Sequence, residues 1–226
     1  MQNVPYDRET TTMKSFAMCK SCDSEYGQVE DKRFYSQTNS CPDCGVALHW
    51  LSNEPAGVEP LLHLVRLLHA GKIVAVKGIG GFLLLVDAGN KKAIERLRIK
   101  KMRPKKPLAC LFQDVEQLRR FAFVSELEST ALQSAEAPIV LVKTKKKKQE
   151  LALAQLAPGL NRIGAMLPYA PLLELISLKA QMPLVATSGN ASGSPIVFTD
   201  DEAMRLLSPI ADAILSHNRE ITFPQD

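Results

Sequence analysis

Two C-x-x-C pairs stand near the start of the chain, Cys19 with Cys22 in CKSC and Cys41 with Cys44 in CPDCG, with eighteen residues between them. Each pair folds its backbone into a tight turn that aims two thiolates at one point. Two such pairs complete the tetrahedral set of four sulfurs that Zn²⁺ prefers. This is zinc-ribbon spacing, and a site closed by four thiolates keeps no open position for a substrate, so the metal is expected to be structural. Ser21, Asp43 and Gly45 suit the turns, and His49 is close enough in sequence to compete as a ligand. A pair of thioredoxin-like redox motifs is the weaker alternative, because no βαβ pattern surrounds the cysteines. The fifth cysteine, Cys110, sits alone in the apolar run LACLF and is expected to be a small buried hydrophobe.

A second chemistry is written in LRIKKMRPKKPLA, where Arg98, Lys100, Lys101, Arg103, Lys105 and Lys106 fall within nine residues. Cations favour a helix C-terminus, but six exceed what the helix dipole rewards, and Pro104 and Pro107 fix the chain so that several side chains can converge. Convergent Lys and Arg suit a polyphosphate or an acidic small molecule. TSGNASGSP follows the apolar run PLVAT, which puts Ser188 and Asn190 at the carboxyl end of a strand, the usual ligand edge of an open α/β sheet. KGIGGF, with Gly78, Gly80 and Gly81, is another small-residue loop, neither a Walker A sequence nor a G-x-G-x-x-G. Taken singly, a basic helix end and two tight turns account for these segments as well.

Such residues need elements to position them. Composition shifts at LSNEPAGVEP, which divides residues 1–52, carrying the paired cysteines, from residues 57–226. PLLHLVRLLHAG predicts a helix with Leu61, Val65 and Leu68 on one face, stopped by Gly71. KIVAVK, FLLLVDA, PLACLF, PIVLVK and PLVAT predict strands. Between them Asn90 caps a helix with Ala93, Ile94 and Leu97 on one face, another helix starts at Asp114, and Ser125 with Glu128 and Thr199 with Glu202 form capping boxes. The alternation predicts an α/β fold with a mixed sheet. Lys143 to Lys148 is expected to be a strandless, solvated loop, because like charges repel and stay in water.

The 226 residues are 46% hydrophobic and 23% charged, enough for one sizeable core and a small accessory module, which excludes disordered and fibrous classes. The longest uncharged stretch, Ala180 to Thr199, contains Gln181, Pro183, Ser188, Asn190 and Pro195, so no membrane span is expected. The N-terminus lacks an apolar core of secretory type, and a cytoplasmic location is expected. A net charge of +4 selects no partner by itself.

PYDRETTTM, CKSC with CPDCG, KGIGGFLLLVDAGN, LRIKKMRPKKPLA, APGLNRIGAMLPYAPL, TSGNASGSPI and ADAILSHNREI occur in this order. Together they closely resemble the middle of the HypF carbamoyltransferase family of nickel–iron hydrogenase maturation. The resemblance runs essentially end to end, through the second of that family's two zinc-binding modules and its YrdC-like domain. It implies a four-cysteine zinc-ribbon module followed by a YrdC-like α/β domain with a twisted, mixed, open sheet. It also implies a role in making the cyanide ligands of the hydrogenase iron. In the family, carbamate released from carbamoyl phosphate is joined to ATP as carbamoyl adenylate, and a last domain passes the carbamoyl group to a cysteine of HypE.

Carried over by position, the K-x-R signature falls on Lys101 and Arg103, which the resemblance makes catalytic, and the S-x-N signature falls on Ser188 and Asn190. Lys106, Lys77 and Arg219 join Ser188 and Asn190 as implied ATP and carbamate contacts. Structural Zn²⁺ on Cys19, Cys22, Cys41 and Cys44, and Mg²⁺ travelling with ATP, are the implied metals. Leu83 stands where the family usually has histidine, and Leu173 and Glu174 replace two more, so no histidine acid or base is invoked. The acylphosphatase-like and transferase domains have no counterpart here, so the full overall reaction is not expected of this chain. One rival is a free-standing YrdC-type enzyme that makes threonylcarbamoyl adenylate for tRNA modification with the same signatures; the zinc module and KGIGGF stand against it. Another is a non-catalytic RNA-binding module using the zinc ribbon, a basic concave surface and the Lys145 to Lys148 run.

Overall fold

Apolar strands with no polar face must be covered on both sides, and that requirement organises the structure. KIVAVK and FLLLVDA become β2 (Val74–Lys77) and β3 (Phe82–Asp87), buried along nearly their whole length. Successive β3 side chains point to opposite faces: Phe82, Leu84 and Val86 enter one core, Leu83 and Leu85 the other. The computed structural model describes residues 3–55, 57–145, 151–191 and 193–225. Its remaining strands are β1 (Leu48–Trp50), β4 (Ala109–Leu111), β5 (Ala122–Phe123), β6 (Val140–Thr144), β7 (Arg162–Met166), β8 (Leu184–Ser188) and β9 (Ala213–His217). They form one sheet in the order β1-β9-β2-β3-β8-β4-β7-β6-β5. The β9/β2 and β4/β7 pairs are parallel and the others antiparallel, the mixed sheet expected from the sequence.

On the first face lie α3 (Lys91–Lys100), α4 (Val115–Phe121), α5 (Glu126–Leu132), α6 (Leu153–Leu156) and α8 (Asp200–Leu207), which send Ile94, Leu97, Leu118, Leu132, Leu156 and Leu207 into the core. On the second lie α2 (Pro60–His69) and α7 (Pro171–Ala180). The local signals hold where they are local chemistry. Asn90, Asp114, Ser125 and Thr199 each accept a backbone N–H at the expected helix start. The buried stripe of α2 is Leu61, Leu64 and Leu68, one position from that expected, and Gly71 follows at φ +71°.

Two expectations need correction. Lys143, which the expected strand PIVLVK and the expected solvated loop both included, belongs to β6: Val142 points into the core while Leu141 and Lys143 point out, so the charge sits on the wet side of an ordinary strand. Residues 146–150, which include Lys146 to Lys148 of that run, lie outside the described residues. In the cysteine module, the described residues before β1 contain no strand. They form two 3-10 turns, Arg8–Thr10 and Thr12–Ser15, and α1 (Lys20–Gly27), which Cys19 caps and Cys22 enters, so the first knuckle is a helix start and not a free turn. β1 lies within the segment that composition groups with the cysteines, yet it pairs with β9 at the sheet edge.

β8 passes close to β3 at Gly189, whose N–H donates to the Phe82 carbonyl at 2.6 Å. A Cβ there would fall 2.6 Å from that same oxygen. Gly189→Ala is expected to lower stability by about 1–3 kcal/mol through forced separation of the strands. A wild-type urea midpoint for this variant would show that the approach is not tight.

Candidate functional site

The four paired cysteines meet. Sγ–Sγ distances are 3.7 Å for Cys19–Cys41, 3.7 Å for Cys41–Cys44 and 3.6 Å for Cys44–Cys22, and all four sulfurs lie within 4.8 Å of one another. A tetrahedron with Zn–S bonds of about 2.3 Å has edges of about 3.8 Å, so the donor set fits zinc. Burial, with the neighbouring thiols, pushes the Cys22 thiol up, whereas backbone hydrogen bonds at Cys19 and Cys41 bring Cys44 down to about 6. His49 is no competitor: it lies on β1 with Nε2 3.6 Å from Asp200. Cys110 is fully buried, and burial raises its thiol to about 12, which makes it inert.

The basic segment leaves α3 through a sharp turn. Met102 adopts φ 51°, a left-handed conformation costly for a residue with a Cβ, and the turn separates inward from outward side chains. Lys101 goes inward and is 1% exposed. Its ammonium donates to the Ser188 carbonyl, to the Asn190 carbonyl at 3.0 Å and to Asn190 Oδ1 at 2.8 Å. Arg98 also goes inward, donating to the carbonyls of Gln155, Arg103, Lys106 and Leu156. These two cations staple the loop. Lys100 and Lys105 face solvent.

Arg103 and Lys106 line a cleft of about 560 Å³ together with Ser188, over a floor formed by Leu83, Ala109 and Met166. That size suits a small-molecule cofactor or nucleotide. Arg103 donates to Thr187 Oγ1 at 3.2 Å and to the Pro107 carbonyl at 2.6 Å. Asn190 does not line the cleft; its amide is spent on Lys101, Ser188 and the Ser194 carbonyl. Lys101, Ser188 and Asn190 therefore come together as expected, but Lys101 grips the loop that carries the other two.

Lys77 and Arg219 belong to a neighbouring cavity of about 460 Å³, divided from the cleft by Ile79 and Gln225, which line both. Lys77 is 6% exposed and donates to Asp200 Oδ1 at 2.9 Å and the His217 carbonyl at 3.2 Å. Burial works against the Asp200 charge, but the Ser216 hydroxyl and Lys77 outweigh it and hold the carboxyl below its usual range. Burial pushes His217 below the usual imidazole range, so it is neutral at pH 7. Leu173 is 1% exposed in the second core and Glu174 faces solvent, so neither replaces a histidine chemically.

Sequence reasoning did not single out Thr12, Thr187 or Thr222, which line these cavities. Thr12 lies in PYDRETTTM, whose role nothing local reveals. It mistook Arg98 for part of a ligand-facing cluster.

A four-cysteine finger joined to a mixed nine-stranded α/β sheet, with a basic cleft at its strand ends, defines the class: a zinc-finger protein with a YrdC-like domain. The family model described as Telomere recombination, for Sua5, YciO and YrdC, matches residues 66–226, and that described as HypF finger matches residues 18–51. The chain belongs to the Sua5–YciO–YrdC family, and its finger and domain together correspond to part of HypF. Carbamoyltransferase HypF of Rhodobacter capsulatus is 45% identical over 225 residues, covering 98% of this chain and 29% of that protein. A full-length HypF crystal structure in the phosphate- and nucleotide-bound form superposes on the whole chain with TM-score 0.94 and 40% identity, over 30% of that structure. The HypF of T. kodakarensis does so with TM-score 0.93 and 38% identity. The chain thus spans less than a third of the length of these relatives.

Cys22→Ser is expected to lose zinc by metal analysis and to loosen the residues before β1, while the α/β domain keeps its own core. Retained zinc in that variant would mean that the ligand set is different.

Proposed function

We propose that the chain joins carbamate to ATP as carbamoyl adenylate, the adenylation step of HypF-type synthesis of the cyanide ligands of nickel–iron hydrogenase. The observation that carries this reading is the cleft in which the α3–β4 and β8 loops bring Arg103, Lys106 and Ser188 around an apolar floor. The floor suits the adenine and ribose, and the cations suit the phosphates. Lys77 and Arg219, one wall away, suit the carbamate.

A carbamate oxygen attacks the α-phosphorus, the new P–O bond forms as the bond to the β-phosphate bridging oxygen breaks, and pyrophosphate leaves with that electron pair. Charge grows on the phosphoryl oxygens and the leaving group, and in this reading Arg103 and Lys106 stabilise it electrostatically. Lys101 acts as a positioning residue through the Ser188–Asn190 loop. Mg²⁺ accompanying ATP would add bridging charge at the phosphates. Carbamate and its adenylate decompose in water, so the concave site has to exclude it.

Release of carbamate from carbamoyl phosphate and transfer to a HypE cysteine belong, in this proposal, to the parts of the relatives outside the matched segment. Four cysteines kept as zinc thiolates suit a reducing compartment, the cytoplasm. No helix among the described residues is long and apolar enough to cross a membrane.

Pyrophosphate–ATP exchange is expected to require carbamate, supplied by ammonium bicarbonate solutions, and Arg103→Ala is expected to weaken ATP binding by roughly 1.5–3 kcal/mol in calorimetry. Exchange that needs threonine with bicarbonate would favour threonylcarbamoyl-adenylate synthesis instead. Wild-type ATP affinity in Arg103→Ala would remove the cleft from the proposal.

A further inference from the structure

The segment before β1, which carries the four cysteines, has no part in the chemistry proposed so far, yet it builds one wall of the second cavity. Thr12 and Val46, from the residues before β1, line it beside Lys77, His217 and Arg219. Arg219 Nε donates to Thr12 Oγ1 at 2.9 Å. Among the described residues its two terminal amino groups have no hydrogen-bond or ion-pair partner. Thr222 Oγ1, on the same cavity, is buried and unpartnered. A small oxyanion in the cavity would satisfy the amino groups of Arg219.

Thr12 is itself held from the zinc site. Asn39 Nδ2 donates to the Cys22 carbonyl at 2.8 Å, inside the first knuckle. The Asn39 carbonyl accepts from Arg8 Nη1 at 2.8 Å, and Arg8 Nη2 donates to the Phe16 carbonyl at 2.7 Å. Thr11 returns its hydroxyl to the Arg8 carbonyl at 2.9 Å and caps the 3-10 turn that begins with Thr12. Asn39, Arg8, Thr11 and Thr12 are 4%, 6%, 4% and 7% exposed, so this connection runs through packed interior and not through solvent-loosened side chains. A second link, Ala47 N–H to Asn218 Oδ1 at 2.8 Å, anchors the segment next to Arg219.

We infer that Thr12 is a positioning residue for Arg219, so that the zinc-held finger is a working part of the carbamate compartment. This rests on the reading of that cavity given above. Arg219 swings on a flexible side chain, and a single acceptor on a rigid wall fixes the direction in which its amino groups point. The nucleotide cleft has no finger residue in its lining. Disturbing Thr12 should therefore act on the small anion and spare ATP.

The test compares the full chain with Thr12→Val, which keeps shape and removes the acceptor, and Thr12→Ser, which restores it. Zinc content and ATP affinity by calorimetry are expected to match wild type in both. In carbamate-dependent pyrophosphate–ATP exchange, the carbamate KM is expected to rise about tenfold in Thr12→Val and to return to within about twofold in Thr12→Ser. An unchanged carbamate KM in Thr12→Val would overturn the inference, as would equal loss of ATP affinity. If the wild-type chain shows no exchange at all, the adenylation reading fails instead. NMR line broadening of labelled bicarbonate then decides the positioning claim: broadening by wild type that is lost in Thr12→Val and in Arg219→Ala supports it. Broadening that is equal in wild type and Thr12→Val, or absent from wild type, overturns it.

Discussion

A lysine ammonium taken out of water needs its protons satisfied, and Lys101 finds its acceptors on a loop eighty-seven residues downstream. The contacts to Ser188 and Asn190 tie the end of α3 to the end of β8. The geometry of the cleft depends on that tie. It sets the gap across which Arg103 and Ser188 face the same space, and it consumes the Asn190 amide that would otherwise be free to face a ligand. The grip is mutual: Asn190 Oδ1 accepts from both Lys101 and the Ser188 hydroxyl, and its amide nitrogen holds the Ser194 carbonyl.

The remaining cations of the basic segment sort themselves by the path of the chain. Arg98 satisfies four backbone carbonyls, and burial, with Arg103 nearby, draws its guanidinium below the usual range. Arg98 and Lys101, three residues apart at the end of α3, both go inward, and the left-handed Met102 that follows turns the chain so that Arg103 can face the cleft. Strain of this kind persists where surrounding contacts over-determine the backbone. The outcome is a loop that offers Arg103 and Lys106 to the cleft from a fixed frame, which is what electrostatic stabilisation of a phosphoryl transfer demands. The cysteine-bearing segment meets the neighbouring cavity in a comparable way, through Thr12, which accepts from Arg219 Nε at 2.9 Å.

Much of this was legible in the sequence because the deciding chemistry is short-range. Caps at Asn90, Asp114, Ser125 and Thr199 involve neighbours three residues away, and the doubly apolar runs of β2 and β3 admit few other fates. The spacing of Cys19, Cys22, Cys41 and Cys44 carries the metal centre almost alone. What was not legible depends on partners far along the chain. β1 is three residues whose partner β9 lies near the other end of the sequence. β7, RIGAM, is short, with a glycine at its centre and Arg162 at its exposed start, so no clean alternation marks it. Lys143 looks like part of a solvated run until Val142 is seen facing the core. Within the basic cluster, nothing local tells the buried Lys101 from the exposed Lys100 beside it; only the carbonyls of Ser188 and Asn190 make that distinction.

The most direct test of the account is hydrogen exchange across Ser188 to Val197 in Lys101→Met, read together with ATP affinity. If Lys101 works by pinning the loop, the amides of Gly189, Asn190 and Val197, which bond to Phe82, Ser188 and Gly189 respectively, lose protection in the variant before any nucleotide is added, and ATP binding falls with them. If those amides keep wild-type protection while ATP affinity is lost, Lys101 touches the phosphates itself, and the pin on which this account rests is not there.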